Sequence, residues 1–304
     1  MSSASNSHAS SVADALLRGL IDYAGLFPPA ALPMAEAVVR YREYQGGAHS
    51  WMLGRFVVPV ARLEELGREA TQVPGGVAPL RLSVIGEAGD GERIERFNAR
   101  HGGQVVIDSI DGKVSAAEQV EAFESLASLV APGGDALLVY VEVPIADDPD
   151  ALVAAIGASG LRAKVRTGGV TTDAFPRAKA LARFLGSCVE HNVAFKATAG
   201  LHHPMRGDYR LTYERESETG TMFGFLNVFA AALFIRAGLG EDRAARLLDE
   251  RDPRALALDA GGLAWDDHRI DGPSISALRD GFAASFGSCS FDEPVDELRA
   301  LGWL

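Results

Sequence analysis

Lysine is scarce in this sequence, and the scarcity makes the few lysines informative. Of the 29 basic residues, 25 are arginine, and the lysines are Lys113, Lys164, Lys179 and Lys196. Where arginine fills most cationic positions, a lysine in an apolar, strand-like segment calls for a specific reason. A primary amine can lose its proton and attack a carbonyl group, whereas a guanidinium group cannot. Lys164 and Lys196 lie in such segments and are therefore the first candidates for chemistry.

Cysteine is also rare, and the chain has no long apolar run. Cys188 and Cys289 are far apart and lack CxxC spacing, which argues against a disulfide framework and gives no zinc signature. The longest apolar stretch, residues 222–235, is interrupted by a glycine and an asparagine and is too short to cross a bilayer. The polar, serine-rich start does not resemble a secretory signal. We predict a cytoplasmic protein with no membrane partner, whose residues 1–12 form a disordered tail.

Positive charge and nucleotide-binding glycine motifs are likewise missing. The formal net charge is -12 at pH 7, which argues against a nucleic-acid partner because a phosphate backbone needs a basic field. No GxGxxG motif follows the first predicted strand, and no GxxxxGK[ST] motif occurs. Both absences count against an open sheet that binds a nucleotide.

Short strand-like segments alternate with longer helix-like segments through most of the chain. The eight predicted strands span residues 19–23, 55–60, 80–85, 104–110, 136–143, 162–166, 194–198 and 263–266. Helices at 275–286 and 294–301 complete the chain. Strict alternation implies βαβ units and a parallel sheet, and eight strands favour a closed barrel. We therefore predict a single-domain (β/α)8 barrel of the TIM type over residues 13–304.

Ionisable side chains recur where the predicted strands end, which is the active-site face of a parallel barrel. Apolar runs lead into Asp108 and Glu142, and Lys164 and Lys196 lie on adjacent strands. Neighbouring cations and partial desolvation lower a lysine pKa, to about 7–8 in favourable cases. The resulting neutral amine can form a Schiff base with a carbonyl substrate. The same residues are also compatible with structural ion pairs that close the end of the barrel.

Several residues near these strand ends are candidates for holding a substrate. Arg166 and the backbone N–H groups of Gly168 and Gly169 would suit a phosphate or carboxylate. A tight turn that needs positive φ explains the two glycines equally well. The full set of candidate substrate-binding residues is Arg166, Gly168, Gly169, Asp22, Tyr23, Thr198 and His203.

Two adjacent histidines, His202 and His203, follow the seventh predicted strand. Neighbouring side chains on an extended segment point in opposite directions, so we expect one ring to face the site. We assign His202 to acid–base catalysis and His203 to substrate binding. With Asp108, Glu142 or His268, one of these histidines would alternatively bind a metal ion, although no HExxH signature occurs. The following loop, residues 204–221, is a candidate lid over the barrel.

From Lys164 to Gly200 the pattern resembles the class I deoxyribose-phosphate aldolase family. The counterparts of the family motifs are Lys164-Val165, Thr167-Gly168 and the segment 195–200, and together they cover less than a sixth of the chain. The resemblance implies that Lys196 forms the Schiff base and that Asp108 corresponds to the catalytic aspartate. The third lysine of the family has no counterpart here, so Lys164 or Arg166 would take its part.

The leading hypothesis is a carbon–carbon lyase of the class I aldolase type, acting on a small anionic carbonyl substrate without a cofactor or bound metal. Lys196 would form the imine, and Asp108 or Glu142 would move protons. One alternative is a metal-dependent hydrolase or isomerase that uses His202 or His203 with the same carboxylates. Another is a non-catalytic barrel that binds a small anion. A homo-oligomer is compatible with each of them.

Overall fold

The computed structural model describes residues 12–73 and 78–304. The predicted disordered tail therefore lies outside the described residues, apart from its last residue, Val12. That residue belongs to a short helix, residues 12–17, and its side chain is buried. The packed structure thus extends at least to Val12.

Eight strands pair side by side, every one parallel to its neighbours, and close into a ring. They are β1 (Ile21–Tyr23), β2 (Leu53–Pro59), β3 (Leu80–Ile85), β4 (Val105–Lys113), β5 (Leu138–Val143), β6 (Arg162–Arg166), β7 (Phe195–Thr198) and β8 (Ala283–Ser288). Because β1 pairs with both β2 and β8, the sheet has no free edge. The protein is a single-domain (β/α)8 barrel of the TIM type, as predicted.

Helices connect the strands and surround the ring. They span Met34–Gly46, Leu63–Gln72, Gly91–His101, Glu124–Ala127, Asp150–Ala158, Ala178–Glu190, Phe225–Arg236, Glu241–Leu248, Gly272–Gly281 and Asp292–Ala300. Ala178–Glu190 shows why they pack: Leu181, Leu185 and Cys188 recur at helical spacing and are all buried. Among the described residues, no helix is both long enough and apolar enough to cross a membrane.

The eighth barrel strand differs from the prediction. Residues 263–266 do not enter the barrel; Gly262–Trp265 is the middle strand of a small antiparallel sheet with Leu256–Asp259 and His268–Ile270. Tight turns join these three strands, and such turns permit only antiparallel pairing, whereas a parallel strand needs a crossover. Helix Gly272–Gly281 supplies that crossover, so the predicted helix 275–286 ends early and the chain continues into β8.

Side chains along each barrel strand alternate between the interior and the surrounding helices. On β1, Asp22 points inward toward Lys196, whereas Tyr23 packs outside against Phe56. The polar side chains buried inside the barrel include Asp22, Ser83, Ser109, Asp111, Glu142, Lys164, Lys196 and Ser285. Since barrels of this type commonly fill their interior with branched apolar residues, this polar interior indicates where the functional site lies.

Candidate functional site

The two lysines occupy paired positions on β6 and β7, and a single carboxylate, Asp111 on β4, contacts both. Its Oδ1 lies 2.5 Å from Lys196 Nζ, and its Oδ2 lies 3.5 Å from Lys164 Nζ. Each amine also has a second carboxylate. Glu142 Oε2 is 3.0 Å from Lys164 Nζ, and Asp22 Oδ2 is 3.8 Å from Lys196 Nζ. We call this alternating series Glu142–Lys164–Asp111–Lys196–Asp22 the ionic chain.

Lys196 is held at the buried end of the ionic chain. Its ammonium group donates a hydrogen bond to Ser83 Oγ at 2.8 Å and lies 4.6 Å from the ring centre of Tyr140. Burial alone would lower the pKa of Lys196, but the nearby carboxylates of Asp111 and Asp22 outweigh burial and raise it. The direction is opposite to the lowering that the sequence-based mechanism requires of a nucleophilic amine. Lys196 is therefore a charged partner of Asp111 in this structure.

Two carboxylates of the ionic chain, Asp111 and Glu142, are charged as well. Burial favours the neutral form of Asp111, but Lys196 and Lys164 together bring its pKa below the ordinary value. Glu142 behaves similarly: burial raises its pKa, while Lys164 and Arg166 lower it to a greater extent. Arg166 Nε lies 3.5 Å from Glu142 Oε1, and its side chain remains 55% exposed at the barrel end.

A cavity of about 260 Å³ opens at the carboxyl ends of the strands, and we call it the mouth cavity. Its polar lining includes Lys164, Arg166, Thr198 and His202, whereas Lys196 does not line it. The remaining lining is largely apolar and comes from several loops and strands: Ala24, Phe27, Pro28, Pro29, Val57, Ile85 and Val170. Lys164 is thus the amine that a molecule in the mouth cavity would meet.

The glycine turn after β6 packs closely against the loop after β7. A side-chain carbon added to Gly200 would lie 2.8 Å from Gly168 Cα, so neither residue has room for a side chain. Gly169 lines the mouth cavity, whereas Gly168 does not. Only Gly200 of these three has a positive φ, of 70°. Close packing of the Phe175 ring and the Gly200 backbone, and not positive φ, therefore explains Gly168.

Asp108 was wrongly placed by the sequence analysis. It forms ion pairs with Arg55 at 2.5 Å and with Arg81 at 2.6 Å. All three line a cavity of about 810 Å³ together with residues that precede β3, β4 and β5, at the amino ends of the strands. Asp108 is therefore at the opposite end of the barrel from the mouth cavity, where it stabilises two arginines.

Asp111 takes the position that was predicted for Asp108. The strand β4 runs on to Lys113, beyond the predicted end at residue 110. An irregularity in its pairing with β3 falls at Asp108, where the register skips one residue. A bulge of this kind shifts the alternation of side chains. The sequence does contain a signal for this position, because Asp111 directly follows Ile110, the last apolar residue of the predicted strand.

Two other predicted substrate contacts lie outside the mouth cavity. Tyr23 faces the outer helices, because its neighbour Asp22 occupies the inward position on β1. His203 pairs with Glu297 at 2.6 Å and stacks on Tyr209 with ring centres 3.5 Å apart. The prediction that Tyr23 and His203 contact a substrate at the barrel mouth is therefore wrong.

His202 does line the mouth cavity, and its surroundings make it cationic. Its Nδ1 lies 3.4 Å from Ser288 Oγ, 3.8 Å from Cys289 Sγ and 3.6 Å from Glu293 Oε2. Burial would lower the pKa of His202, but Cys289 and Glu293 raise it to about 9. The predicted lid forms a two-stranded hairpin, and Tyr213 in its connecting segment donates a hydrogen bond to Glu293 Oε2 at 3.0 Å.

The ligands suggested for a metal ion do not come together. Asp108 lies at the far end of the barrel, and His203 is occupied by Glu297. Within the described part of the chain, the group with potential ligand atoms close enough to share an ion is Asp150, Glu190 and His191 on the outer helices. There, Asp150 already accepts a hydrogen bond from a serine.

The sequence matches no protein-family model, and no curated protein matches it either. The fold and the site together define a TIM-type barrel with an ionic chain inside and a small cavity at its carboxyl end. Because this fold supports many unrelated chemistries, the geometry of the site, and not the fold, determines the function.

Proposed function

We propose that the protein is a Schiff-base-forming carbon–carbon lyase of the class I aldolase type, with Lys164 as the nucleophile. The observation that carries the proposal is the position of Lys164, whose amine borders the mouth cavity and contacts two buried carboxylates. The resemblance to the aldolase family suggested Lys196 for this role. Lys164 is the better candidate because it lines the mouth cavity, whereas Lys196 does not.

Glu142 is well positioned to move the protons that imine formation requires. Its carboxylate lies 3.0 Å from Lys164 Nζ and can accept the proton that the amine must lose before attack. The neutral amine then adds to the carbonyl carbon, and the returning proton allows the former carbonyl oxygen to leave as water. The resulting iminium group withdraws the electron pair of the carbon–carbon bond that breaks.

Asp111 and Lys196 have a supporting electrostatic role in this proposal. Asp111 keeps a negative charge 3.5 Å from the nitrogen of Lys164, where the iminium cation would form. Lys196 holds that carboxylate in place through the shorter ion pair of 2.5 Å. Fixed charges aimed at a developing charge are a major source of catalysis.

The lining of the mouth favours a small substrate with an anionic group. Arg166 is exposed beside Lys164, and an adjoining groove of about 710 Å³ also carries Lys113 and Arg177. These three cations would bind a carboxylate or phosphate. The apolar remainder of the mouth cavity, at about 260 Å³, suits a short carbon chain.

Borohydride trapping tests the proposal. The protein would be incubated with pyruvate, acetaldehyde or dihydroxyacetone phosphate, reduced, and analysed by peptide mass spectrometry. We expect a stable adduct on Lys164 that disappears in Lys164→Met. Lys179→Met is the matched control, since Lys179 is an exposed surface lysine. An adduct on Lys196, or labelling only of surface lysines, would contradict the assignment. Binding of pyruvate or dihydroxyacetone phosphate with no adduct at all would favour the non-catalytic alternative.

A further inference from the structure

Cys289 lies at the wall between two cavities. It directly follows β8 and lines the mouth cavity. It also lines a second cavity of about 330 Å³, which we call the side cavity, together with Tyr23, Arg40, Tyr44 and Tyr213. The mechanism proposed above uses no thiol, so the position of Cys289 at both cavities needs another explanation.

Three polar side chains surround the thiol. Its Sγ is 3.8 Å from His202 Nδ1 and 3.4 Å from Tyr213 Oη. Glu293 contacts both of these partners, at 3.6 Å and 3.0 Å respectively. A histidine ring beside a thiol is the pairing that nucleophilic cysteines use. His202 is protonated at neutral pH because its pKa is about 9.

The side cavity contains a second, independent sign of a ligand. Tyr23 has no exposed surface, and its hydroxyl group has no hydrogen-bond partner among the described residues. A buried hydroxyl left without a partner costs roughly 1–3 kcal/mol. An oxygen atom of a bound molecule would remove that cost by accepting a hydrogen bond from Tyr23. Arg40, which pairs with Glu36 at 2.9 Å, and Glu293 line the same cavity.

We propose that Cys289 is a nucleophilic thiol that adds covalently to small aldehydes in the side cavity, with Tyr23 donating a hydrogen bond to the oxygen of the adduct. The sulfur–carbon bond forms as the carbonyl π bond breaks. The proton that the thiol loses ends on the former carbonyl oxygen, which gives a hemithioacetal. No oxidant or reductant takes part. This reactivity belongs to residues other than Lys164 and does not depend on the proposed lyase activity.

Alkylation kinetics test the nucleophilicity, and the chain contains its own control. The folded protein would be treated with iodoacetamide at pH 7, and the rate at each cysteine read by peptide mass spectrometry. Cys188 is fully buried, and burial raises its pKa well above the ordinary value. We expect Cys289 to react at least about tenfold faster than Cys188. Equal rates at the two cysteines would overturn the proposal.

A pair of neighbouring histidines tests the role of His202. The variant His202→Gln removes the cation beside the thiol, so we expect alkylation of Cys289 to slow about tenfold, an ordinary effect of one nearby charge. His203→Gln makes the same chemical change one residue away, at a side chain that pairs with Glu297. It should leave the rate unchanged. The same rate in both variants would argue that His202 does not activate the thiol and would overturn the proposal.

Protection by an aldehyde tests the adduct itself. Preincubation with acetaldehyde should slow the alkylation of Cys289, and Tyr23→Phe should weaken this protection about tenfold, the value of one hydrogen bond. The alkylation rate without aldehyde should not change in Tyr23→Phe. Lys164→Met should retain the protection. Protection that is lost in Lys164→Met, or that persists unchanged in Tyr23→Phe, would contradict the proposed adduct.

Discussion

At the scale of single residues, the ionic chain determines which substitutions the interior of this barrel can tolerate. Three carboxylates and two ammonium groups alternate within contact distance, and all five side chains are buried. The cost of burying each charge is offset only while its partners are present. Arg166 and the backbone N–H of Arg55, which donates to Asp22 Oδ1 at 2.7 Å, complete the network at its two ends.

Removing Lys196 should therefore destabilise the protein strongly. We expect Lys196→Met to lower the free energy of unfolding by about 3–5 kcal/mol, because Asp111 and Asp22 lose their nearest cation. Urea denaturation followed by circular dichroism measures the effect. Lys179→Met is the control, since its ion pair with Asp242 is exposed and should contribute less than about 1 kcal/mol. Adding Asp111→Asn to Lys196→Met should recover part of the loss. Equal effects of the two lysine variants would contradict this account.

His202 should make stability depend on pH in the alkaline range. The folded-state pKa, about 9, is above the ordinary value of 6.5. The stabilisation from the protonated ring is therefore complete below pH 6.5 and is lost as the pH rises through 9. We expect wild type to lose on the order of 1–3 kcal/mol over this range. Urea denaturation at pH 6, 7.5 and 9 measures it. The variant His202→Gln should lack this loss, and an identical pH profile in both proteins would refute the assignment.

At the scale of elements, local patterns predicted some strands well and failed at others. The structure has β6 and β7 within one residue of the predicted ranges. Their alternation correctly places Lys164 and Arg166 together at the barrel end and Lys164 opposite Lys196. The prediction failed for β4 because a bulge at Asp108 makes Asp111, and not Asp108, the aspartate that faces the site. A bulge depends on the neighbouring strand, so the sequence of β4 does not reveal it. The strand β8 was missed because five of its six residues are alanine, serine or glycine, which form no strand-like apolar pattern.

The contact between the loops after β6 and β7 should be sensitive to a single methyl group. We expect Gly200→Ala to destabilise the protein by about 2–4 kcal/mol, because the added carbon meets the backbone of Gly168 and φ is 70°. Gly160→Ala is a matched control with a similar φ of 65° but open space around the added carbon, so it should cost only about 1 kcal/mol. Thermal and urea unfolding give both values. A Gly200→Ala cost no larger than that of the control would mean that the loops are not closely packed.

At the scale of the whole molecule, closure of the ring is what assembles the site. The ionic chain draws on β1, β4, β5, β6 and β7, and the mouth cavity adds Gly287 of β8 and Cys289, which follows it. A single hydrophobic cluster extends from Val12 to Leu298. An incomplete ring would separate the lysines from Asp111 and Asp22, so the site and the fold should be lost together.

The chain should accordingly unfold in one cooperative transition. Its three tryptophans report on separate regions: Trp51 lies just before β2, Trp265 in the small antiparallel sheet and Trp303 after the last helix. Three variants would each keep one of the three tryptophans. In each variant, we expect the urea midpoint from tryptophan fluorescence to equal the midpoint from circular dichroism. A lower midpoint from the fluorescence of Trp265 than from circular dichroism of the same variant would instead identify the small sheet as a separately unfolding unit.

The sequence by itself determined the alternating strands and helices of the barrel and the shared side of Lys164 and Arg166, because side-chain periodicity is a local property of the chain. It also singled out two lysines by their scarcity. Only the tertiary structure decided that Asp111 contacts both amines, that Lys164 borders the mouth cavity and that Cys289 lies beside His202. Those contacts join segments far apart in the chain, and they depend on strand register, one bulge and the packing of loops.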